Sequence, residues 1–318
     1  MSAPVIELAG ITKEYRIRQG LFRRRRLRAV NGVDLAIMPG ETVGLVGESG
    51  CGKSTVGRIT LGLLPPSSGS VKFRGEDITG VGAAEWRRLR RHLQLVFQNP
   101  FSALDPRMAV GAQIAEVQLA HGIASGPEAV RAALERVGLQ GAMASRYPHQ
   151  LSGGQQQRVV IARALSIEPS VIVCDEAVSA LDVSVRAQII NLLTDLQAEL
   201  SLSYLFISHD LGVVEHICDR VLVMYLGSIV EQGTRDQLFD APRHPYTRAL
   251  LAAVPKPDPT HRLDQSLAVG EIEEAGRDTP GCAFAPRCPH AVEQCRSLAP
   301  RLREVGGQLV ACHRAEEI

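Results

Sequence analysis

A glycine-rich string, Gly47-Glu-Ser-Gly-Cys-Gly-Lys53-Ser54, sets the tightest constraint on this chain. It fits G-x-x-x-x-G-K-[ST], follows the apolar run Thr42–Val46, and opens a helix-like stretch over 53–63. A strand, a glycine loop and a helix N-terminus in that order form an anion-binding turn. Gly47, Gly50 and Gly52 let the backbone turn tightly and offer N–H groups to phosphate oxygens, and the helix adds a favourable field. Glu48, Ser49, Cys51 and Thr55 complete the set of residues along the loop. Lys53 is expected to reach the β- and γ-phosphates of a nucleotide, and the Ser54 hydroxyl to ligate Mg²⁺.

Around this loop, short Val-, Ile- and Leu-rich runs alternate with helix-like stretches. The runs at 42–46, 93–97, 171–174, 204–208 and 221–225 read as strands buried on both faces. Helices are expected over 53–63, 155–166, 185–200 and 212–218, which implies a mostly parallel α/β sheet domain. Residues 99–164 contain no strand pattern and read as an inserted helical subdomain. A short helix is expected over 241–251, and the Pro-rich segment 254–259 reads as a linker. The segment 13–28 holds eight Lys or Arg and one acid, including Arg23 to Arg26, and reads as a solvated loop between strands or a contact with lipid or a membrane partner.

Composition narrows the function classes. There are 35 Lys and Arg against 34 Asp and Glu, a net charge of +1, so the chain lacks the basic excess of a generic polyanion binder. Aromatic residues make up 4%, too few for a base-stacking surface. No apolar stretch approaches the roughly 18 residues of a membrane span, and the N-terminus lacks the charge-then-apolar pattern of a secretory signal.

A second constellation lies 122 residues beyond Lys53, where the run 171–174 ends in Asp175 and Glu176. Asp175 is expected to hold Mg²⁺ through its water shell, and Glu176 to polarise the attacking water as base or electrostatic anchor. A third is Leu151-Ser152-Gly153-Gly154-Gln155, which can bring a hydroxyl, backbone N–H groups and a helix N-terminus to a phosphate.

With these three strings the sequence resembles the ATP-binding cassette (ABC) ATPases over residues 5–255. The resemblance implies a P-loop cassette with a mostly parallel sheet core, an antiparallel β subdomain and the helical insertion at 99–164. It implies a cassette over 1–240 and a small Cys-rich extension over 241–318. It places Tyr15 against adenine, Gln98 at the Mg²⁺ and γ-phosphate, Asp182 in the loop crossing a dimer interface, and His209 at the γ-phosphate. It implies two cassettes packed head to tail, with Ser152, Gly153, Gly154 and Gln155 of one contacting ATP held by the other.

A narrower resemblance, to ATP-binding subunits of oligopeptide and dipeptide permeases, rests on Gln98-Asn-Pro-Phe-Ser-Ala-Leu-Asp-Pro106, His244-Pro-Tyr-Thr and the Cys282 to Ala291 string. It implies two transmembrane permease subunits, an extracytoplasmic solute-binding protein and a peripheral place on the cytoplasmic face of the inner membrane, with no nucleic-acid partner. The other class is a soluble ABC ATPase acting on nucleic acid or the ribosome; an exporter cassette is a third.

Of seven cysteines, Cys282, Cys288, Cys295 and Cys312 crowd into the last 37 residues with spacing C-x5-C-x6-C-x16-C. Disulfides, a zinc site, an iron–sulfur centre and no metal all compete. His313 is a possible substitute ligand. The permease resemblance implies a [4Fe–4S] cluster on the four cysteines, acting as a staple or as a redox sensor. Cys174 and Cys218 read as small core residues, and Cys51 as a modifiable thiol at a helix start.

Overall fold

The computed structural model describes residues 3–19, 23–123, 125–254 and 280–318. Most of the expected linker at 254–259 lies outside the described residues. The strands, in chain order, are β1 (Ile6–Gln19), β2 (Arg23–Ile37), β3 (Thr42–Val46), β4 (Ser68–Phe73), β5 (Glu76–Asp77), β6 (Leu93–Val96), β7 (Val171–Asp175), β8 (Ser203–Ser208), β9 (Arg220–Tyr225), β10 (Ser228–Thr234), β11 (Arg303–Val305) and β12 (Gln308–Val310). The chain forms two compact units.

One unit comprises Ile37–Glu41, Gly80–Ile207 and the residues up to Val5. Its strands run in parallel in the order β8, β7, β6, with Val173 opposite Leu205 and Leu95. Ile172, Val173, Cys174, Leu205 and Phe206 have no exposure, as expected for apolar strands covered on both faces. The stretch expected to be helical carries the helices Pro100–Ala103, Val110–Ala120, Pro127–Arg136 and Gly153–Leu165, and no described strand. The helix Val183–Leu200 follows β7.

The other unit gathers Ile6–Ala36, Thr42–Thr79 and Ser208–Ile318. It holds a four-stranded antiparallel sheet, β2-β1-β4-β5, and the order β11-β12-β10-β9-β3. Here β3 and β9 are parallel, with Val46 opposite Val223, and the remaining neighbours are antiparallel. The described residues of the basic segment, 13–19 and 23–28, are therefore strand rather than loop: they lie on the adjoining ends of β1 and β2, where backbone pairing outweighs the weak strand character of Arg-rich sequence. The helix expected over 241–251 starts later, at Pro245, and runs to Ala252, because proline suits the first turn of a helix but not its interior; a separate short helix, Arg235–Asp240, precedes it.

The Cys-rich tail is tied in by β12, whose Val310 and Leu309 pair with Glu231 and Gln232 of β10. A Gly306–Gly307 turn with both φ positive, 58° and 80°, joins β11 to β12. Two such residues match the twist of a tight hairpin. Among the described residues, no helix is long and apolar enough to cross a membrane.

Candidate functional site

In the second unit, the glycine loop runs from the end of β3 into the helix Lys53–Thr60. Gly47, Gly50 and Gly52 have φ of 148°, 76° and 116°, all in the glycine-favoured region. A side chain on Gly47 would strike the Met224 carbonyl, and one on Gly52 the Ala29 carbonyl. The loop is thus moulded against its neighbours as well as turned. Lys53 is 4% exposed, and its Nζ donates to the carbonyls of Gly47 at 2.6 Å and Glu48 at 2.9 Å. Ser54 and Thr55 occupy the first turn of the helix and are partly buried, whereas Ser49 is exposed. Cys51 is fully buried, 3.9 Å from the Lys53 ammonium, so it is not the accessible thiol expected of a modifiable cysteine.

Glu48 is engaged at both its backbone and its side chain. Its N–H donates to the Tyr246 hydroxyl at 2.9 Å, and its carboxylate accepts two bonds from Arg287, at 2.8 and 3.0 Å. Both partners come from beyond residue 240, and nothing in the spacing of the glycine string pointed to them. Tyr246 stood in the His244-Pro-Tyr-Thr string and Arg287 between two of the tail cysteines, but only as family markers. Tyr15 lies on β1 with the Lys13 ammonium 5.6 Å from its ring centroid. His209 is exposed just after β8, and Asp210 caps the next helix, Leu211–Ile217, by accepting from the N–H of Gly212 at 3.1 Å.

In the first unit, β7 ends at Asp175, and Glu176 turns the chain in a left-handed conformation, φ 52°. That conformation costs a non-glycine residue of the order of 1–3 kcal/mol and persists where neighbours over-determine it. Here the Glu176 N–H donates to the Ile207 carbonyl at 2.9 Å, and its carbonyl accepts from the Ser179 N–H and hydroxyl at 3.1 and 3.0 Å. The carboxylate Oε2 accepts from Gln98 Nε2 at 2.9 Å. Gln98 and Glu176 lie 78 positions apart and were assigned separately in the sequence; the fold brings them into direct contact.

Ser152 caps the helix Gly153–Leu165: its hydroxyl accepts from the Gln155 N–H at 3.3 Å, and Gln155 Oε1 accepts from the Ser152 N–H at 3.0 Å. This reciprocal pair fixes the helix start. Gly154 must be glycine because a side chain would sit 2.5 Å from Val185, whereas Gly153 has only Leu181 nearby, at 3.9 Å. Asp182 is exposed and precedes the helix Val183–Leu200.

Cys282, Cys288, Cys295 and Cys312 line one pocket with His244, Pro245, Phe284 and His313. All are free thiols. The Cys282 N–H donates to the Cys295 carbonyl at 2.7 Å, so two of the segments touch through backbone. Burial, reinforced by the neighbouring thiols, pushes Cys282 up to about 11; Cys288 and Cys312 are also raised, chiefly by burial. Among the described residues, no three His, Cys, Asp or Glu groups are gathered closely enough for one metal ion. His313 Nε2 pairs with the Leu298 carbonyl at 2.8 Å. Cys174 and Cys218 are buried core residues, and burial holds the Cys174 thiol up at about 12.

Comparison with known proteins gives a consistent picture. The ABC transporter family matches residues 30–179, and the oligopeptide/dipeptide transporter C-terminal region matches residues 230–295. A putative peptide import ATP-binding protein of Brucella ovis is 47% identical over 98% of each chain. The dipeptide transport ATP-binding protein DppF of Escherichia coli K12 is 45% identical over 100% of this chain and 96% of its own. Among solved structures, the dimeric post-hydrolysis state of the ATP-binding cassette MJ0796 bound to ADP and Pi superposes with a TM-score of 0.64 at 30% identity, covering 72% of this chain and 98% of that one. CbiO1 of Clostridium perfringens, part of the transporter complex cbiONQ, gives 0.65 at 28% identity, covering 76% and 92%.

Proposed function

Since the chain belongs to the ABC transporter family of ATP-hydrolysing cassettes, we propose that it energises an importer of di- or oligopeptides. The observation that carries the peptide reading is the match of residues 230–295 to the oligopeptide/dipeptide transporter C-terminal region. In this reading a cassette over 1–240 drives the transport cycle, and the extension over 241–318 is a fixture of the peptide-permease group. Two cassettes, this one and a copy or paralogue, pair head to tail on two transmembrane permeases at the cytoplasmic face of the inner membrane. An extracytoplasmic binding protein delivers the peptide.

Each named residue then has a task. The loop's backbone N–H groups other than that of Glu48, which Tyr246 holds, together with the Lys53 ammonium, hold the β- and γ-phosphates, and Tyr15 stacks on adenine. Ser54, Gln98 and Asp175 would hold Mg²⁺, which would supply charge neutralisation at the phosphates. Glu176, steadied by Gln98, orients the attacking water and draws on its proton. His209 reports the γ-phosphate. Ser152, Gly153, Gly154 and Gln155 close on the nucleotide held by the partner cassette, with Asp182 alongside. ATP binds the closed pair better than the open one, and this difference in affinity is what moves the permeases. Proteoliposomes holding both cassettes and the permeases should hydrolyse ATP faster when peptide-loaded binding protein is added. Stimulation by ribosomes or DNA instead would overturn the transport reading.

We assign Cys282, Cys288, Cys295 and Cys312 as the ligands of a [4Fe–4S] cluster; four free cysteines lining one pocket, Cys295 buried and the other three partly buried, support this reading. Such a cluster supplies a four-point staple and a one-electron redox centre. Full-length protein purified without oxygen is expected to be brown, to absorb near roughly 400 nm and to carry about four irons per chain. Cys288→Ser should lose the colour. Colourless protein with one zinc would sink this assignment.

A further inference from the structure

The phosphate loop carries one acidic side chain, Glu48, in a place meant for a polyanion. Such a carboxylate repels a triphosphate unless its charge is cancelled and its direction fixed. The extension does both. Arg287 reaches back 239 positions to make a two-pronged ion pair, Nη2–Oε1 at 2.8 Å and Nη1–Oε2 at 3.0 Å. The arginine side chain is 21% exposed and the glutamate 9%, so water screens the pair only in part. The fork geometry of guanidinium on carboxylate fixes orientation as well as charge.

The guanidinium is itself held. It lies 5.6 Å from the Phe284 ring centroid and 5.8 Å from that of Tyr225. These rings pack with Tyr246: Tyr225 and Tyr246 are 4.6 Å apart, Tyr246 and Phe284 5.4 Å, and Tyr225 and Phe284 meet edge to face at 5.3 Å. Tyr246, from the same cluster, accepts the Glu48 N–H. One aromatic cluster therefore anchors the loop residue through both its backbone and its side chain.

We infer that Arg287 is a positioning residue of the phosphate loop, cancelling the Glu48 charge and holding the loop in its nucleotide-binding shape. This rests on the reading of Gly47–Ser54 as the ATP site. Arg287 touches no nucleotide in this scheme, and its effect passes through Glu48.

The test uses full-length protein, equilibrium binding of a fluorescent ATP analogue, and steady-state ATPase kinetics. Arg287→Met keeps the aliphatic stem and removes the charge; the Kd for the analogue and the KM for ATP should both rise about tenfold, with kcat nearly unchanged. Arg287→Lys keeps a charge without the fork and should fall between. Adding Glu48→Gln to Arg287→Met should restore most of the affinity, because no charge is left to cancel. An Arg287→Met protein that binds within about twofold of wild type overturns the inference. So does a double variant no better than the single one, since that marks general disruption of the extension. Should Arg287→Met not fold, Arg287→Lys binding equal to wild type has the same force. Wild-type protein that fails to bind the analogue would overturn the ATP-site reading itself.

Discussion

Glu176→Gln is expected to lower the ATPase rate by about 10²–10⁴-fold while nucleotide affinity stays within roughly a factor of two. The substitution preserves size and leaves an oxygen to accept from Gln98 Nε2, which now bonds Oε2 at 2.9 Å. The backbone restraints, donated to the Ile207 carbonyl and accepted from Ser179, do not involve the side chain. What is lost is the charge, and with it the ability to polarise a water. Nucleotide would then bind and persist, holding the paired cassettes closed. Single-turnover hydrolysis and gel filtration with ATP would register both effects. Hydrolysis at more than about a tenth of the wild-type rate would deny Glu176 its role.

Lys53→Ala is expected to act one step earlier, weakening ATP binding by on the order of 10²–10³-fold, or about 3–4 kcal/mol. Lys53 is almost fully buried, and its ammonium rests on the carbonyls of Gly47 and Glu48. Those neutral groups satisfy its N–H bonds but not its charge, whereas a triphosphate satisfies both. Titration calorimetry should find binding reduced to the millimolar range or lost, while the thermal melt stays close to wild type. Micromolar binding by Lys53→Ala would remove the lysine from the phosphate site. The two variants thus separate chemistry from binding: one keeps nucleotide and cannot cleave it, and the other cannot hold it.

The parts of the site that are local in sequence were legible there. The glycine string sits between a strand and a helix because each residue's own conformational demands require it. The paired carboxylates follow an apolar run, and the Ser152 to Gln155 cap is a four-residue motif. Distance along the chain marks where legibility ends. The Gln98–Glu176 bond depends on β6 and β7 being neighbours, and the Arg287–Glu48 pair on the extension folding back onto the loop. The loop expected within 13–28 gives way to strand at its described residues, because charge obscures strand character when pairing is decided by the backbone. The Val305–Gln308 hairpin was readable in principle, since two glycines between strand-forming residues are a turn signal, but its strands are only three residues each. The burial of Cys51 could not be seen, because a thiol's exposure depends on what packs over the loop.

The pairing of β10 with β12 has a consequence for how the protein is made. The unit that holds the phosphate loop is assembled from early, middle and final segments, whereas the other lies almost entirely within Gly80–Ile207. As the chain leaves the ribosome, the latter can close first. Glu231, fully buried, accepts N–H bonds from Arg243 and His244, and its strand edge is covered only when Gln308–Val310 arrives. At about 5–20 residues per second, translation leaves that edge open for some 4–15 s. During this interval β10 offers unpaired backbone to any neighbouring nascent strand. The unit that carries the glycine loop is thus completed only when Gln308–Val310 reaches the sheet.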